Sequence, residues 1–216
     1  MKTYLIIGAG PGIGLETART FAENGYRVVL ASRNLERTRE LAGSIPGSEA
    51  RQVDAADPQA VADLVAGVEA EFGAIDVLHY NAGVIRNAKV QTQALDSFNT
   101  DLAINIGGAL AAVHAAAPAM LERGSGTVLL TGGGFALAPH PDYLSISIGK
   151  AGIRALAQGL FDEFREGGVH VATVTVAGFV NAGTEDTKRI AEAFWALHSQ
   201  PKDEWSVETL YEPTGA

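Results

Sequence analysis

The sequence predicts an α/β fold: a doubly wound, mainly parallel sheet of seven strands with helices on both faces. Three observations carry that prediction. Short apolar runs of strand length alternate with longer stretches of helical period along the chain. A glycine-rich turn joins the first of those runs to the first helical stretch. No linker, composition break or internal repeat divides the 216 residues, so a single domain, 1–216, is expected. Alternation of this kind calls for right-handed crossovers that place helices on both sides of a parallel sheet.

The elements follow in order. Tyr4–Ile7 reads as the first strand, and Gly14 to Asn24 as a helix with Ala18, Phe21 and Ala22 on one face, closed by Gly25. Arg27–Ala31 is the second strand, Leu35–Ala42 a short helix, and Gln52–Val53 part of a third strand. Asp57-Pro58 opens the next helix with a capping carboxylate and a proline at its first position; Val61, Leu64, Val65, Val68 and Phe72 form its buried stripe. Ile75–His79 is the fourth strand and Thr127–Thr131 the fifth, with a long uncharged helix between them. A helix from about Ser145 to Glu166 turns Ile153, Leu156, Leu160 and Phe164 inward. Val169–Val176, a helix near Arg189–Leu197 and an extended piece near Val207–Tyr211 complete the pattern.

Composition narrows the function classes. Hydrophobic residues make up 47% and charged residues 19%, as in an ordinary globular domain. A formal charge of −9 gives no field to attract a nucleic acid or an anionic membrane, so neither partner is expected. The absence of cysteine removes disulfides, thiolate metal sites and thiol nucleophiles. The five histidines show no HxxxH or HExxH spacing, and no metal is expected. Ala103 to Leu121 carries no charge over a length that could span a bilayer. It is mostly alanine and glycine, and includes Asn105, His114 and Pro118, so a buried helix is the better reading. The N-terminus runs straight into an apolar strand, unlike a signal peptide, and a cytoplasmic protein is expected.

Gly8-Ala9-Gly10-Pro11-Gly12-Ile13-Gly14 lies where the first strand turns into the first helix. Glycines there permit the tight turn, the approach of backbone to a pyrophosphate, and close packing of helix on strand. The free N–H groups and positive end of the helix supply the local attraction that the net charge lacks. The fold is therefore expected to be of Rossmann type and to bind a dinucleotide. An acid at the end of the second strand would hold the ribose 2′-OH of NAD, but Ser32-Arg33 stands there. A hydroxyl and a guanidinium suit a 2′-phosphate, so NADP(H) is expected over NAD; the plainer reading leaves Arg33 as a solvated residue before a helix.

The spacing Gly8-xxx-Gly12-x-Gly14, with Tyr80-Asn81-Ala82-Gly83 ending the fourth strand, resembles the short-chain dehydrogenase/reductase family over essentially the whole chain. The resemblance places Asp54 and Ala55 against adenine and matches Asn81-Ala82-Gly83 to the NAG motif, with Tyr80 in place of its usual first asparagine. It puts Asn105 on the family's helix asparagine and Lys150 on the lysine of YxxxK. Ala177-Gly178-Phe179-Val180 is similar to the PG segment beside the nicotinamide, with Ala177 in the proline's place. The cofactor residues implied are thus Gly8, Gly12, Ile13, Gly14, Ser32, Arg33, Asp54, Ala55, Asn81, Ala82, Gly83, Lys150 and Val180.

Two catalytic positions depart from the family. Ile146 stands where the resemblance requires the tyrosine that passes the proton, and Gly133, within Gly132-Gly133-Gly134, where it requires the serine that orients the substrate oxygen. Neither can exchange a proton, a step typically worth ~10²–10⁴ in rate. Three readings follow. One is an oxidoreductase of unknown carbonyl or alcohol substrate with a displaced acid: Tyr143, seven residues before Lys150 and on its face if the helix extends that far, or His140 in the preceding loop. The plainer account packs Tyr143 at the helix entrance and solvates His140. A second is a cofactor-binding regulatory or structural protein without turnover, in which Lys150 and Asn105 serve ribose binding and local helix geometry. In the third, substrate or ordered water supplies the proton, and hydride transfer relies on positioning and electrostatics. The three glycines offer either a floor without side chains, exposing N–H groups as an oxyanion site, or a flexible turn. The family's pairing of the Asn105 and Lys150 helices implies a homodimer or homotetramer, which the small residues Gly107, Gly108, Ala109, Ala111, Ala112, Ala115 and Ala116 would permit. The short stretch after Val180 implies an open site.

Overall fold

The computed structural model describes residues 1–214. Seven strands form one sheet: β1 (Thr3–Ile7), β2 (Arg27–Ser32), β3 (Glu49–Gln52), β4 (Val77–Tyr80), β5 (Gly126–Gly133), β6 (Val169–Val176) and β7 (Glu208–Tyr211). Their spatial order is β3-β2-β1-β4-β5-β6-β7, and every pairing is parallel. The helices are α1 (Ile13–Glu23), α2 (Leu35–Gly43), α3 (Pro58–Phe72), α4 (Leu95–Leu102), α5 (Gly108–Arg123), α6 (Leu144–Glu166) and α7 (Glu185–His198). β1 pairs with β2 on one side and β4 on the other, so the chain reverses its direction of travel across the sheet there. That switch opens a crevice at the carboxyl ends of the strands.

Alternation along β1 divides the core. Leu5 and Ile7 face a layer that includes Val61, Val65 and Val68 of α3, Ala112, Ala116 and Met120 of α5, and Ile153 of α6. Tyr4 and Ile6 face the opposite layer, with Ala18 and Phe21 of α1 and Ile190 and Phe194 of α7. The Tyr4 and Phe21 rings stack at 4.1 Å. Asp57 caps α3 as its sequence requires, accepting from the N–H groups of Gln59 at 2.9 Å and Ala60 at 3.3 Å.

Several boundaries differ from expectation. The third strand is Glu49–Gln52, and Val53 is a buried residue beyond its end. The fourth is Val77–Tyr80, and the last helix begins at Glu185. The uncharged helix has a polar forerunner, α4, joined to α5 by a π-helical turn at Ala103–Gly107. By length and composition the continuous run Leu95–Arg123 could cross a membrane, yet its alanine face, with Ala109, Ala112, Ala116 and Ala117, is packed into the core. Tyr143 lies outside α6, in the N-cap position with φ −132° and ψ 39°, so the extension needed to put it on the helical face of Lys150 is absent.

The π-turn places Asn105 against Gly149 of α6, where a Cβ would fall within the Asn105 side chain. The Gly149→Ala variant is therefore expected to lose about 1–3 kcal/mol, an overpacking cost readable as a lower midpoint in urea denaturation.

Candidate active site

The crevice is a cleft of about 670 Å³. Its floor is the glycine loop and the end of β5; its walls are α6 and the segment after β6. Gly8 has φ +96°, and a Cβ there would enter the backbone of Asn81-Ala82. At Gly14 a Cβ would lie 3.1 Å from Asn81 Nδ2 and 3.2 Å from the Gly8 carbonyl oxygen. These two glycines allow elements to close on each other. Gly10 and Gly12 line the cleft; a Cβ on Gly10 would meet nothing within 4 Å, so it is the omission of a side chain that keeps the space clear. Gly12 is the N-cap of α1 and offers no capping side chain, which leaves the dipole end and its first N–H groups to an incoming anion.

A buried polar chain anchors that loop. The Tyr4 hydroxyl lies 2.6 Å from His79 Nδ1, His79 Nε2 is 2.9 Å from Thr131 Oγ1, and Thr131 Oγ1 donates to Asn81 Oδ1 at 2.8 Å. Asn81 Nδ2 then donates to the Gly8 carbonyl at 2.8 Å. Because the threonine proton goes to Asn81, Nε2–H of the histidine donates to Thr131, and Nδ1 accepts from Tyr4. Burial pushes the His79 pKa down to about 3, with the Lys150 charge adding to the shift, so the ring is neutral and its tautomer set.

Lys150 projects from α6 over β5. Its Nζ donates to the Thr131 carbonyl at 2.6 Å, and desolvation brings its pKa down to about 8. The lysine stem explains Gly133: a Cβ there would lie 3.1 Å from Lys150 Cγ and 3.4 Å from Cδ and Cε. Gly132 is held side-chain-free by Thr173 and Thr175, each with Oγ1 2.7 Å from where its Cβ would be, and Gly134 by Ala177. Gly132 and Gly133 are strand residues, so the flexible-turn reading does not describe them. Ile146 lines the cleft but is only 2% exposed.

Asn105 is buried at the π-turn; its Oδ1 accepts from the Val84 N–H at 2.6 Å and its Nδ2 donates to the Val84 carbonyl at 3.1 Å. Tyr80, in the place of the motif's first asparagine, donates its hydroxyl to the Ile104 carbonyl and so ties β4 to the same turn. Asp101 accepts from Arg86 at 2.8 and 3.0 Å, from Gln93 at 2.9 Å and from Ser145 at 3.0 Å, and these bonds hold its carboxyl below the usual range. It fastens the loop after Gly83 to the start of α6, beside Ile146.

Of the residues expected to form the site, Gly12, Ile13, Gly14, Asn81, Gly83, Lys150 and Val180 line the cleft. Ala82 contributes backbone, donating its N–H to Ile7 at 3.0 Å. Ser32, Arg33, Asp54 and Ala55 lie at the carboxyl ends of β2 and β3, on the other side of β1 from Lys150. The Ser32 hydroxyl is engaged with Thr38 at 2.6 Å, and Asp54 accepts from the Ala56 N–H at 3.0 Å. The exposed Arg33 guanidinium makes no ion pair or hydrogen bond among the described residues. Tyr143 is outside the cleft lining and stacks on Phe135 at 5.3 Å; His140 accepts from the Asp142 N–H in its loop. Thr131, His79 and Glu212 belong to the site although no sequence motif marks them. A histidine within an apolar strand was the available signal for the first two; nothing local marked Glu212 as part of the cleft wall.

The cleft at the switch point, with its glycine loop, Asn81-Ala82-Gly83 and Lys150, coincides with a family match. The family model described as short chain dehydrogenase matches residues 2–193. The chain belongs to that family. It is thus an oxidoreductase of the short-chain type, a family that uses a nicotinamide cofactor. An oxidoreductase of Staphylococcus saprophyticus is 29% identical over 99% of this chain and 92% of its own. One from Staphylococcus aureus strain USA300 is 30% identical over 93% of this chain and 92% of its own. Among solved structures, a metagenomic short-chain oxidoreductase in complex with NADP superposes with a TM-score of 0.90, at 28% identity over 99% of this chain and 97% of that one. A short-chain dehydrogenase from Rhodopseudomonas palustris gives 0.89 at 26% identity, over 98% of both chains.

Replacing Thr131 by valine keeps the shape but strands Asn81 Oδ1 and His79 Nε2–H. Thr131→Val is expected to cost about 1–3 kcal/mol in urea unfolding.

Proposed function

We propose that the protein is an NADP(H)-dependent oxidoreductase interconverting a carbonyl and an alcohol on a substrate with an apolar body. The observation that carries the cofactor choice is the unpaired Arg33 at the end of β2, where no carboxylate competes for the ribose. A guanidinium there suits a 2′-phosphate. The NADP complex of the metagenomic neighbour supports the same reading. The chain fits the group: the floor at Gly10 is clear, the N-terminus of α1 is uncapped, and Lys150 lines the same cleft from α6. Gly12, Ile13 and Gly14 would hold the pyrophosphate, Asp54 and Ala55 the adenine, and Asn81, Lys150 and Val180 the nicotinamide riboside. When bound, the cofactor supplies or accepts hydride.

The substrate class follows from the remaining lining. Ile85, Leu137, Phe179 and Leu210 are 49–60% exposed, and all four face this cleft. Phe135 and Phe179, both lining residues, meet edge-on at 5.9 Å, and Phe135 is backed by Tyr143 at 5.3 Å. Such walls exclude water from a carbonyl and reward an apolar or aromatic substituent. Glu212 is the lone carboxylate among the lining residues.

The test is a pair of fluorescence titrations followed by a carbonyl-substrate screen. Arg33→Ala should weaken NADPH binding about 10–100-fold, the range of a charge-assisted hydrogen bond, and leave NADH binding unchanged. Equal affinities for NADPH and NADH in the unaltered protein would remove the cofactor preference. We also propose a homodimer or homotetramer built on the α4–α5 and α6 faces, where Leu95, Leu110 and Ile148 are exposed. Sedimentation at micromolar concentration should give at least twice the 22.5 kDa chain mass.

A further inference from the structure

We propose that Lys150 itself is the general acid of this site, giving its ammonium proton directly to the substrate oxygen in the reduction direction and taking one back in the oxidation direction. The inference rests on the reading of the cleft as a carbonyl–alcohol oxidoreductase site.

Geometry eliminates the other donors. Ile146 has no proton to give, and Tyr143 is stacked on Phe135 off the cleft wall. Ser145 is committed to Asp101, and Ser147 to the Tyr143 carbonyl at 2.8 Å. Thr131 Oγ1 donates to Asn81, and the Tyr80 hydroxyl to Ile104. His140 belongs to an exposed loop and is not a lining residue. Lys150 lines the cleft beside Gly83, with Nζ 4.0 Å from where a Gly83 Cβ would be. Of its three N–H groups, one is spent on the Thr131 carbonyl, and the other two have no acceptor among the described residues. The Gly133 position lets the stem lie flat on β5, which a serine side chain would crowd.

The ammonium is also tuned for the task. Enclosure brings its pKa to about 8, near neutrality, where an acid both holds its proton and gives it up. The titratable groups facing it are His79 behind β5, which is neutral, and Glu212 across the cleft. In reduction, the bound cofactor would supply a hydride to the carbonyl carbon, and the C=O π pair would move onto oxygen. That oxygen bonds the proton leaving Nζ, and the N–H pair stays on nitrogen. The products would be an alcohol, an oxidised nicotinamide and a neutral lysine amine, which regains its proton from solvent once the alcohol has left.

The experiment compares the unaltered protein with Lys150→Ala, Lys150→Arg and Lys150→Met. NADPH binding is followed by fluorescence, and turnover with 4-nitrobenzaldehyde and 1-phenyl-1,2-propanedione as probes. Lys150→Ala should lower kcat by ~10²–10⁴. Lys150→Arg keeps the positive charge but holds its proton too tightly to donate it, so its kcat should fall comparably while NADPH binding changes less than about tenfold. Added methylamine or ethylamine should restore Lys150→Ala in proportion to its concentration. Reductive kcat of the unaltered protein should decline above about pH 8.

A readout independent of activity comes from stability. A lysine whose pKa is lower folded than unfolded destabilises the fold while it must remain charged, so the deficit is full below pH 8 and vanishes toward pH 10.5. Lys150→Met without cofactor should therefore melt higher than the unaltered protein at pH 7, by a margin that closes as pH rises. Turnover retained in Lys150→Ala, a loss explained by NADPH affinity alone, or failure of amine rescue would overturn the lysine assignment and leave the oxidoreductase reading standing. NADPH binding with no turnover of either probe by the unaltered protein would overturn both.

Discussion

Thr131 is the residue on which the site hangs, because both of its polar groups are committed to different parts of it. Its hydroxyl closes the chain from Tyr4 through His79 to Asn81 and the Gly8 carbonyl. Its carbonyl fixes the Lys150 ammonium. One strand end therefore sets the distance between the glycine loop and Lys150, the one cation among the described residues that line the cleft. The Tyr4–His79 and His79–Thr131 bonds are buried within the sheet, where a polar group left without its partner is costly.

The same logic explains how an acidic chain accommodates an anionic cofactor. With a formal charge of −9 the long-range field opposes a phosphate, so attraction has to be short-range. The groups placed to supply it are the uncapped first turn of α1, the exposed Arg33 and Lys150, spread along the carboxyl edge of the sheet, and under the function proposed above they would hold the phosphates. Such contacts are strongest where water is thin, and a Debye length of about 8 Å confines the opposing surface charge.

Much of this was legible in the sequence, and the exceptions have physical causes. The order of strands and helices followed from hydrophobic alternation, since strands buried on both faces read as unbroken apolar runs. β3 was displaced because its residues, Glu49-Ala50-Arg51-Gln52, sit at the sheet edge and carry no apolar signature. α4 went unseen because Asp96, Ser97, Asn99 and Thr100 make it polar; its buried carboxylate, Asp101, is compensated by Arg86 fifteen residues earlier, a pairing that no local pattern reveals. The glycine loop announced itself, but that Gly8 abuts Ala82 and Gly133 abuts Lys150 is tertiary information. Helical spacing made Tyr143 a plausible neighbour of Lys150; the helix begins one residue too late for that spacing to apply.

The contact between Gly133 and the Lys150 stem couples two positions that look independent in the chain. A serine introduced at 133 must push aside a lysine whose Cγ lies 3.1 Å from the new Cβ, whereas a tyrosine at 146 stands one helical turn before that lysine on α6. The two positions therefore act on the same side chain. A serine at 133 would press on Lys150, the one cation among the described residues that line the cleft. Substitutions at 133 and 146 are therefore expected to be non-additive, because both act on the position of one lysine stem.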